Sequence, residues 1–386
     1  MVAGDIMGRL GVAAAGAVFL AASLAAAPAA AQAPVYGGGE SVFVGYADGV
    51  GADRRAPTIN LGFVGHRDGE ISARFIMDTG SVGIIATPDH FRPGRDARNM
   101  GPGQQTYSSS GIVENGNWWL AGVNIYDAGG SLMARAEVPV LLVDSITCLP
   151  DARDCRPRDR PRGVAMMGVG FARESGQQVH GTPDFNPFLT LTHIRGPDGR
   201  LHPLPGNWRN GYVVTARGVY LGLNGAVTGN AAFAKLAPNP AYSTPEHPEW
   251  MATPMTITVN GASAEGHLLM DTGVNVAYLS PPPGAPLGGL GGCQEARSDR
   301  CAPPGTKVTI AVPNAANPIA SYGFTVGEDG NPMQPQDVVV VHDPAPFLNS
   351  SRHFLSGMNF IYDAAGGYVG FQWTGGASGS SGFVRP

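Results

Sequence analysis

Two aspartates carry the chemistry that this sequence offers. Asp78 stands in Phe75-Ile76-Met77-Asp78-Thr79-Gly80-Ser81, at the end of one apolar run and just ahead of another, Val82-Gly83-Ile84-Ile85. Asp271 stands in Leu268-Leu269-Met270-Asp271-Thr272-Gly273-Val274, again between apolar stretches. A carboxylate buried alone at a strand end gives up its charge. Two that face each other share one proton instead, because both cannot ionise easily at a few ångströms. One then acts as base toward water and the other, protonated, as acid toward a carbonyl oxygen, which is what direct attack of water on an amide requires. Gly80 and Gly273 permit a tight turn with backbone amides aimed at each carboxylate. The hydroxyls of Thr79 and Thr272 are placed to bond across to the facing turn. Ser81 can donate to the outer side of Asp78, whereas Val274 has no hydroxyl. The sequence therefore predicts that Asp271 lacks this donor and holds the shared proton, with Asp78 charged.

A pair needs two elements to carry it, and the chain repeats more than the aspartate. Val-Ala-Met-Met-Gly-Val-Gly-Phe at 164–171 has a partner in His-Phe-Leu-Ser-Gly-Met-Asn-Phe at 353–360, each at a similar distance after its aspartate. Two features recurring in the same order imply two related halves. Alternating runs closed by Gly and Asn read as strands: Ser-Val-Phe-Val-Gly-Tyr-Ala from 41, Thr-Ile-Asn-Leu-Gly-Phe from 58, Gly-Tyr-Val-Val-Thr from 211 and Met-Thr-Ile-Thr-Val-Asn-Gly from 255. Helical patterns are few, and the candidate is 186–194, with Asn186 as cap and Pro187 in the first turn. Glycine (56) and proline (33) make up nearly a quarter of the 386 residues, yet apolar runs are interleaved throughout. That composition indicates a turn-rich β protein rather than disorder.

The motifs Asp-Thr-Gly-Ser at 78–81, Met-Asp-Thr-Gly at 270–273, Met-Met-Gly-Val-Gly-Phe at 166–171 and Phe-Leu-Ser-Gly-Met-Asn-Phe-Ile-Tyr-Asp at 354–363 resemble those of pepsin-like (family A1 type) aspartic endopeptidases. The resemblance runs over about 41–373. It implies an all-β, bilobal fold with a central cleft, an N-terminal lobe at 41–205 and a C-terminal lobe at 206–373, each giving one aspartate. Asp78 and Asp271 would be catalytic, with Thr79, Gly80, Ser81, Thr272 and Gly273 in support. An apolar-apolar-Gly segment would pass under each catalytic loop: Met166-Met167-Gly168 in the first lobe, and the looser Phe354-Leu355-Ser356-Gly357 in the second. Residues 360–371 resemble the hairpin that closes the family's second lobe. Gln-Gln-Thr-Tyr-Ser-Ser-Ser-Gly at 104–111 matches the family's flap, so Tyr107 and Ser108 would line the substrate site, although the usual glycine after the tyrosine is Ser108 here. Trp118 and Trp119 fall on the return strand, where packing is their expected role. The resemblance implies a peptide or protein substrate in the cleft, no cofactor or metal, and a monomer, because one chain supplies both motifs. The other reading on the same fold is a catalytically silent ligand- or inhibitor-binding protein; retention of both aspartates and both threonines favours the enzyme.

The remaining features set the context. A low charged fraction of 14% and a net charge of −5 give no nucleic-acid footprint. Arg9 precedes an Ala-rich uncharged run broken by Pro28, so 1–33 reads as a cleaved export signal rather than a membrane anchor, followed by a short Gly-rich segment at 34–40. Export to the periplasm or beyond, without stable membrane insertion, is the expectation. No basic prosegment separates the signal from the first strand. The four cysteines suit an oxidising compartment, and local pairing would join Cys148 to Cys155 and Cys293 to Cys301; the spacings do not match zinc ligands. The Arg-rich loop with Arg153, Arg156, Arg158, Arg160 and Arg162 reads as a solvated surface segment, and 374–386 as a mobile tail. There is no His-Glu-x-x-His and no Gly-x-Ser-x-Gly signature, and the nine histidines show no metal spacing.

Overall fold

The computed structural model describes residues 34–49, 55–65, 73–150, 152, 155–174 and 178–374. The expected signal at 1–33, Arg153 and residues 375–386 of the expected tail lie outside them. Strands dominate, and the α-helix found among the described residues is the single turn Gly225–Thr228, capped by the Asn224 side chain, which accepts from the amides of Ala226 and Val227.

Among the described residues the strands form three sheets. The first half forms a ten-stranded sheet whose spine is the long antiparallel pair Ile112–Tyr126 and Leu132–Cys148. Inside it, the strand Ala73–Asp78 runs parallel to Ala165–Val169, which pairs antiparallel with Val82–Ala86. The turn after Asp78 is thus enclosed between the strand that enters it, the strand that leaves it and a third strand beneath. The second half repeats the device in a seven-stranded sheet. Ala262–Leu269 runs parallel to Phe347–Asn349, which pairs antiparallel with Ala277–Ser280. Val82–Ala86 and Ala277–Ser280 each gain a further parallel neighbour, Leu132–Cys148 and Val338–Val340 respectively.

This register corrects the sequence reading of the second half. The strand beneath Asp271 is Phe347–Asn349, whereas Phe354, Leu355 and Ser356 lie in the 3₁₀ helix Arg352–Ser356, with Gly357 closing it. Ile76 pairs with Met166 two residues before Asp78, and Leu269 pairs with Asn349 two residues before Asp271. Asn349 therefore occupies the slot that Met166 holds in the first half.

The third sheet has six strands and takes its members from both ends of the chain: Val42–Gly45, Gly218–Leu221, Tyr212–Val214, Met358–Asp363, Tyr368–Trp373 and Ala232–Lys235. Residues 360–371 do form a hairpin, within Met358–Asp363 and Tyr368–Trp373. The sheet packs aromatic residues against the first half. Phe171 stacks on Tyr362 with ring centroids 4.1 Å apart, and the Tyr212 hydroxyl donates to the Val169 carbonyl. Asp363, fully buried, takes a bidentate pair from Arg209 at 3.1 and 2.7 Å and a hydroxyl from Tyr36 at 3.0 Å.

The helix expected at 186–194 is absent. A 3₁₀ turn, Pro183–Phe185, comes first, and Leu191–Arg195 is a strand against Leu132–Cys148. The Asn186 side chain accepts from the Phe188 amide at 2.9 Å and donates to the Gly170 carbonyl at 3.0 Å. The cap is thus formed, but only one turn follows it. Thr190, Thr192 and Ile194 are β-branched and favour the sheet that is on offer.

Candidate active site

Asp78 ends one strand, Asp271 lies two residues beyond the end of another in a different sheet, and the two meet. Both are buried, at 5% and 6% exposure. Each glycine of the two motifs is what lets the opposite carboxylate in. A side-chain carbon on Gly80 would stand 2.3 Å from Asp271 Oδ2, and one on Gly273 would stand 2.5 Å from Asp78 Oδ1. The carboxyls lie within hydrogen-bonding reach of each other.

The threonines lock the two turns reciprocally. The Thr79 amide donates to Thr272 Oγ1 at 3.1 Å and the Thr272 amide to Thr79 Oγ1 at 3.0 Å. Each hydroxyl then donates to the strand of the other half, Thr79 to the Met270 carbonyl at 2.6 Å and Thr272 to the Met77 carbonyl at 2.7 Å. Every polar atom of this buried lattice has a partner, so it holds the turns in one register at little desolvation cost.

Each carboxylate also has its own donors. Asp78 accepts from the Gly80 amide at 2.7 Å and from the Ser81 hydroxyl at 2.5 Å. Asp271 accepts from the Gly273 amide at 2.8 Å and, on its other oxygen, from Asn349 Nδ2 at 2.6 Å. This overturns the expected asymmetry. Val274 offers no hydroxyl, but an amide from the strand beneath takes its place, and Asp271 is not short of a donor. Burial first and the facing Asp271 carboxylate second push the Asp78 carboxyl up to about 8, with Ser81 and Gly80 pulling the other way. Asp78 is thus drawn toward its protonated form, against the expectation that it stays charged.

Sequence reasoning missed three supporting residues. Asn349 is one. Arg352 is another: its Nε and Nη2 donate to the carbonyls of Thr272 and Gly273 at 3.1 and 2.9 Å, bracing the second turn from below. Gln178 accepts from the Val82 amide at 3.1 Å beside the first turn. Only Asn349 left a trace in the sequence, as a polar residue closing the apolar pair Phe347-Leu348.

A cleft of about 860 Å³ opens over the pair, lined by Asp78, Asp271, Gly80 and Gly273 and by the tip of the hairpin formed by Arg98–Tyr107 and Ile112–Tyr126. Tyr107 and Ser108 both line it. The Tyr107 hydroxyl is raised well above its ordinary value, by burial and then by the nearby carboxylates of Glu114 and Asp78. Trp118 packs edge-on against Phe185 at 4.8 Å in a small apolar core, and Trp119 lies against the main core. Cys148 is bonded to Cys155 and Cys293 to Cys301, one loop in each half.

The sequence matches no family model and no curated protein. Among solved structures the chain is similar to the aspartic proteinase from Irpex lacteus, with a TM-score of 0.51 and 12% identity, over 89% of this chain and 100% of that one. The fold is that of a pepsin-like aspartic proteinase: all-β, with two related sheets that meet at the paired aspartates.

Proposed function

We propose that this chain is an exported aspartic endopeptidase that hydrolyses peptide bonds with a water activated between Asp78 and Asp271. The observation that carries the reading is the reciprocal lattice around two facing, buried carboxyls, each with one amide and one side-chain donor. The ionised carboxyl takes a proton from water as its oxygen attacks the peptide carbonyl, and the protonated one gives its proton to the carbonyl oxygen. Collapse of the tetrahedral intermediate returns a proton to the leaving amine and breaks the C–N bond. Both groups come from one chain, so a monomer suffices. A peptide under the hairpin tip is the partner this geometry suits, and no step requires a cofactor. Two disulfides support export into an oxidising compartment, periplasmic or extracellular. No helix among the described residues is long and apolar enough to cross a membrane.

The test is digestion of a reduced, carboxymethylated protein from acidic to neutral pH, with and without pepstatin. Cleavage that pepstatin blocks, and that falls about 10³-fold or more in both Asp78→Asn and Asp271→Asn, is the expected result. Near-normal turnover in either variant overturns the two-aspartate mechanism. Peptide binding with no cleavage by the wild type identifies a silent binding protein on the same fold.

A further inference from the structure

The hairpin over the cleft hides a third acid. Glu114 sits near the start of Ile112–Tyr126, 5% exposed, and lines the same cleft as Asp78 and Asp271 beside Tyr107, Ile112 and Met166. Its Oε2 has no hydrogen-bond partner. Nor has either amide atom of Gln105, its cross-strand neighbour at 1% exposure. Buried polar groups left unmatched cost about 1–3 kcal/mol each, more when charged, so Glu114 at the cleft wall, backed by the unmatched Gln105, signals a site built for a matching group.

The protein does not supply that group. Among the described residues the cation acting on Glu114 is Arg158, an exposed residue two strands away that forms no ion pair with it. Arg173, which lines the same cleft, interacts with Asp271, Asp78, Glu174 and Asp343 and not with Glu114. Two unmatched oxygens are ready for a donor, Glu114 Oε2 and Gln105 Oε1; burial raises Glu114 to about 7, so a cation seated there displaces the proton that burial otherwise keeps on it. A lysine ammonium brings three donors on an apolar stem, and a guanidinium brings five. Ile112 and Met166 line the approach and suit such a stem.

We propose that Glu114 is a specificity-determining residue, which makes the favoured substrate a peptide that places a lysine or arginine side chain against the hairpin strands, next to the bond to be cut. This rests on the endopeptidase reading and deepens it. The same neutral amides and apolar walls accept uncharged side chains, so the preference is one of degree and not absolute.

Two arms separate failure of this proposal from failure of that reading. In the first, a randomised decapeptide library is digested and the cut sites are read. Wild type is expected to show lysine and arginine enriched about tenfold at one position near the cut, a difference of about 1.4 kcal/mol. Glu114→Gln is expected to lose the enrichment while still cutting neutral sites, and Glu114→Met to turn it toward apolar side chains. Equal profiles in all three overturn the proposal and leave the endopeptidase standing. The second arm needs no turnover. Hexapeptides with lysine or norleucine at each position in turn are titrated into the Asp78→Asn protein by calorimetry. Roughly tenfold tighter binding of one lysine peptide over its norleucine counterpart, abolished by adding Glu114→Gln, supports the pocket even if the wild type cleaves nothing. No lysine preference at any position sinks it.

Discussion

The amide of Asn349 reaches Asp271 from a neighbouring strand and not from the turn that carries the aspartate. In the first half the equivalent donor, Ser81, is three residues from Asp78; in the second the donor lies 78 residues away in sequence. The local part of the site, Asp-Thr-Gly with its turn amide, is legible in sequence because its bonds close within two residues. The Asn349 bond is not, because only strand pairing brings Asn349 alongside Leu269. The bond has a readable consequence. A donor to a carboxylate favours its ionised form, so removing it raises the pKa of the pair and the shared proton is kept to higher pH. Asn349→Ala should therefore move the alkaline limb of the pH–rate profile upward. A hydrogen bond to a charged group is worth about 1.5–3 kcal/mol, which corresponds to about one to two pH units. Adding Val274→Ser to that variant should bring the limb back, whereas Val274→Ser alone should move it little, since the outer side of Asp271 is already served. A limb that stays put or moves down in Asn349→Ala would show that the amide does not govern the pair.

At the scale of elements, two turns from separate sheets are held together by threonine hydroxyls that reach across to the opposite strand. The strands around them follow from alternation and β-branching, whereas the hairpin that carries Tyr107 was legible only through the resemblance of 104–111 to the flap of pepsin-like endopeptidases. The strand beneath Asp271 did not follow. Phe347–Asn349 is three residues long and sits just after Pro344 and Pro346, too short to show a period, while the better apolar match at 354–357 folds as a 3₁₀ helix. The expected helix at 186–194 failed for a related reason: its cap forms, but the residues after it find a sheet edge. Cross-links between such short elements should be costly to lose. Thr272→Val removes the donor to the Met77 carbonyl and the acceptor of the Thr79 amide, leaving two buried groups unmatched. Denaturant unfolding should show a loss of about 2–4 kcal/mol, with a large fall in kcat because the carboxyls lose their mutual register, and Thr272→Ser should restore most of both. A stable Thr272→Val protein with wild-type turnover would mean that the lattice does not position the pair.

Across the whole molecule, the doubled motif made two similar halves legible, but nothing local announced the six-stranded sheet, which draws Val42–Gly45 from one end of the chain and Tyr368–Trp373 from the other. The loops beside that sheet also bury an acid that does not line the cleft. Glu249 is 1% exposed, and its Oε1 accepts from the Ala172 amide at 3.3 Å, in the first half, and from its neighbour Trp250 at 2.8 Å. Burial raises it to about 8, as it raises Glu114 to about 7 and, together with Asp271, Asp78 to about 8. All three start from ordinary values of 4.5 or 3.8, so between roughly pH 4 and pH 8 the folded chain binds protons that the unfolded chain has released. Stability then falls as pH rises through that window, by up to about 1.4 kcal/mol per group per pH unit, and levels off above it. The melting temperature at constant ionic strength should accordingly be higher at pH 5 than at pH 8. Glu249→Gln keeps an acceptor for the two amides but cannot ionise, so its curve should be flatter than that of the wild type and should cross it toward higher pH. A wild-type melting temperature that climbs from pH 5 to pH 8, or a Glu249→Gln curve parallel to it, would mean that these acids are not held protonated by the fold.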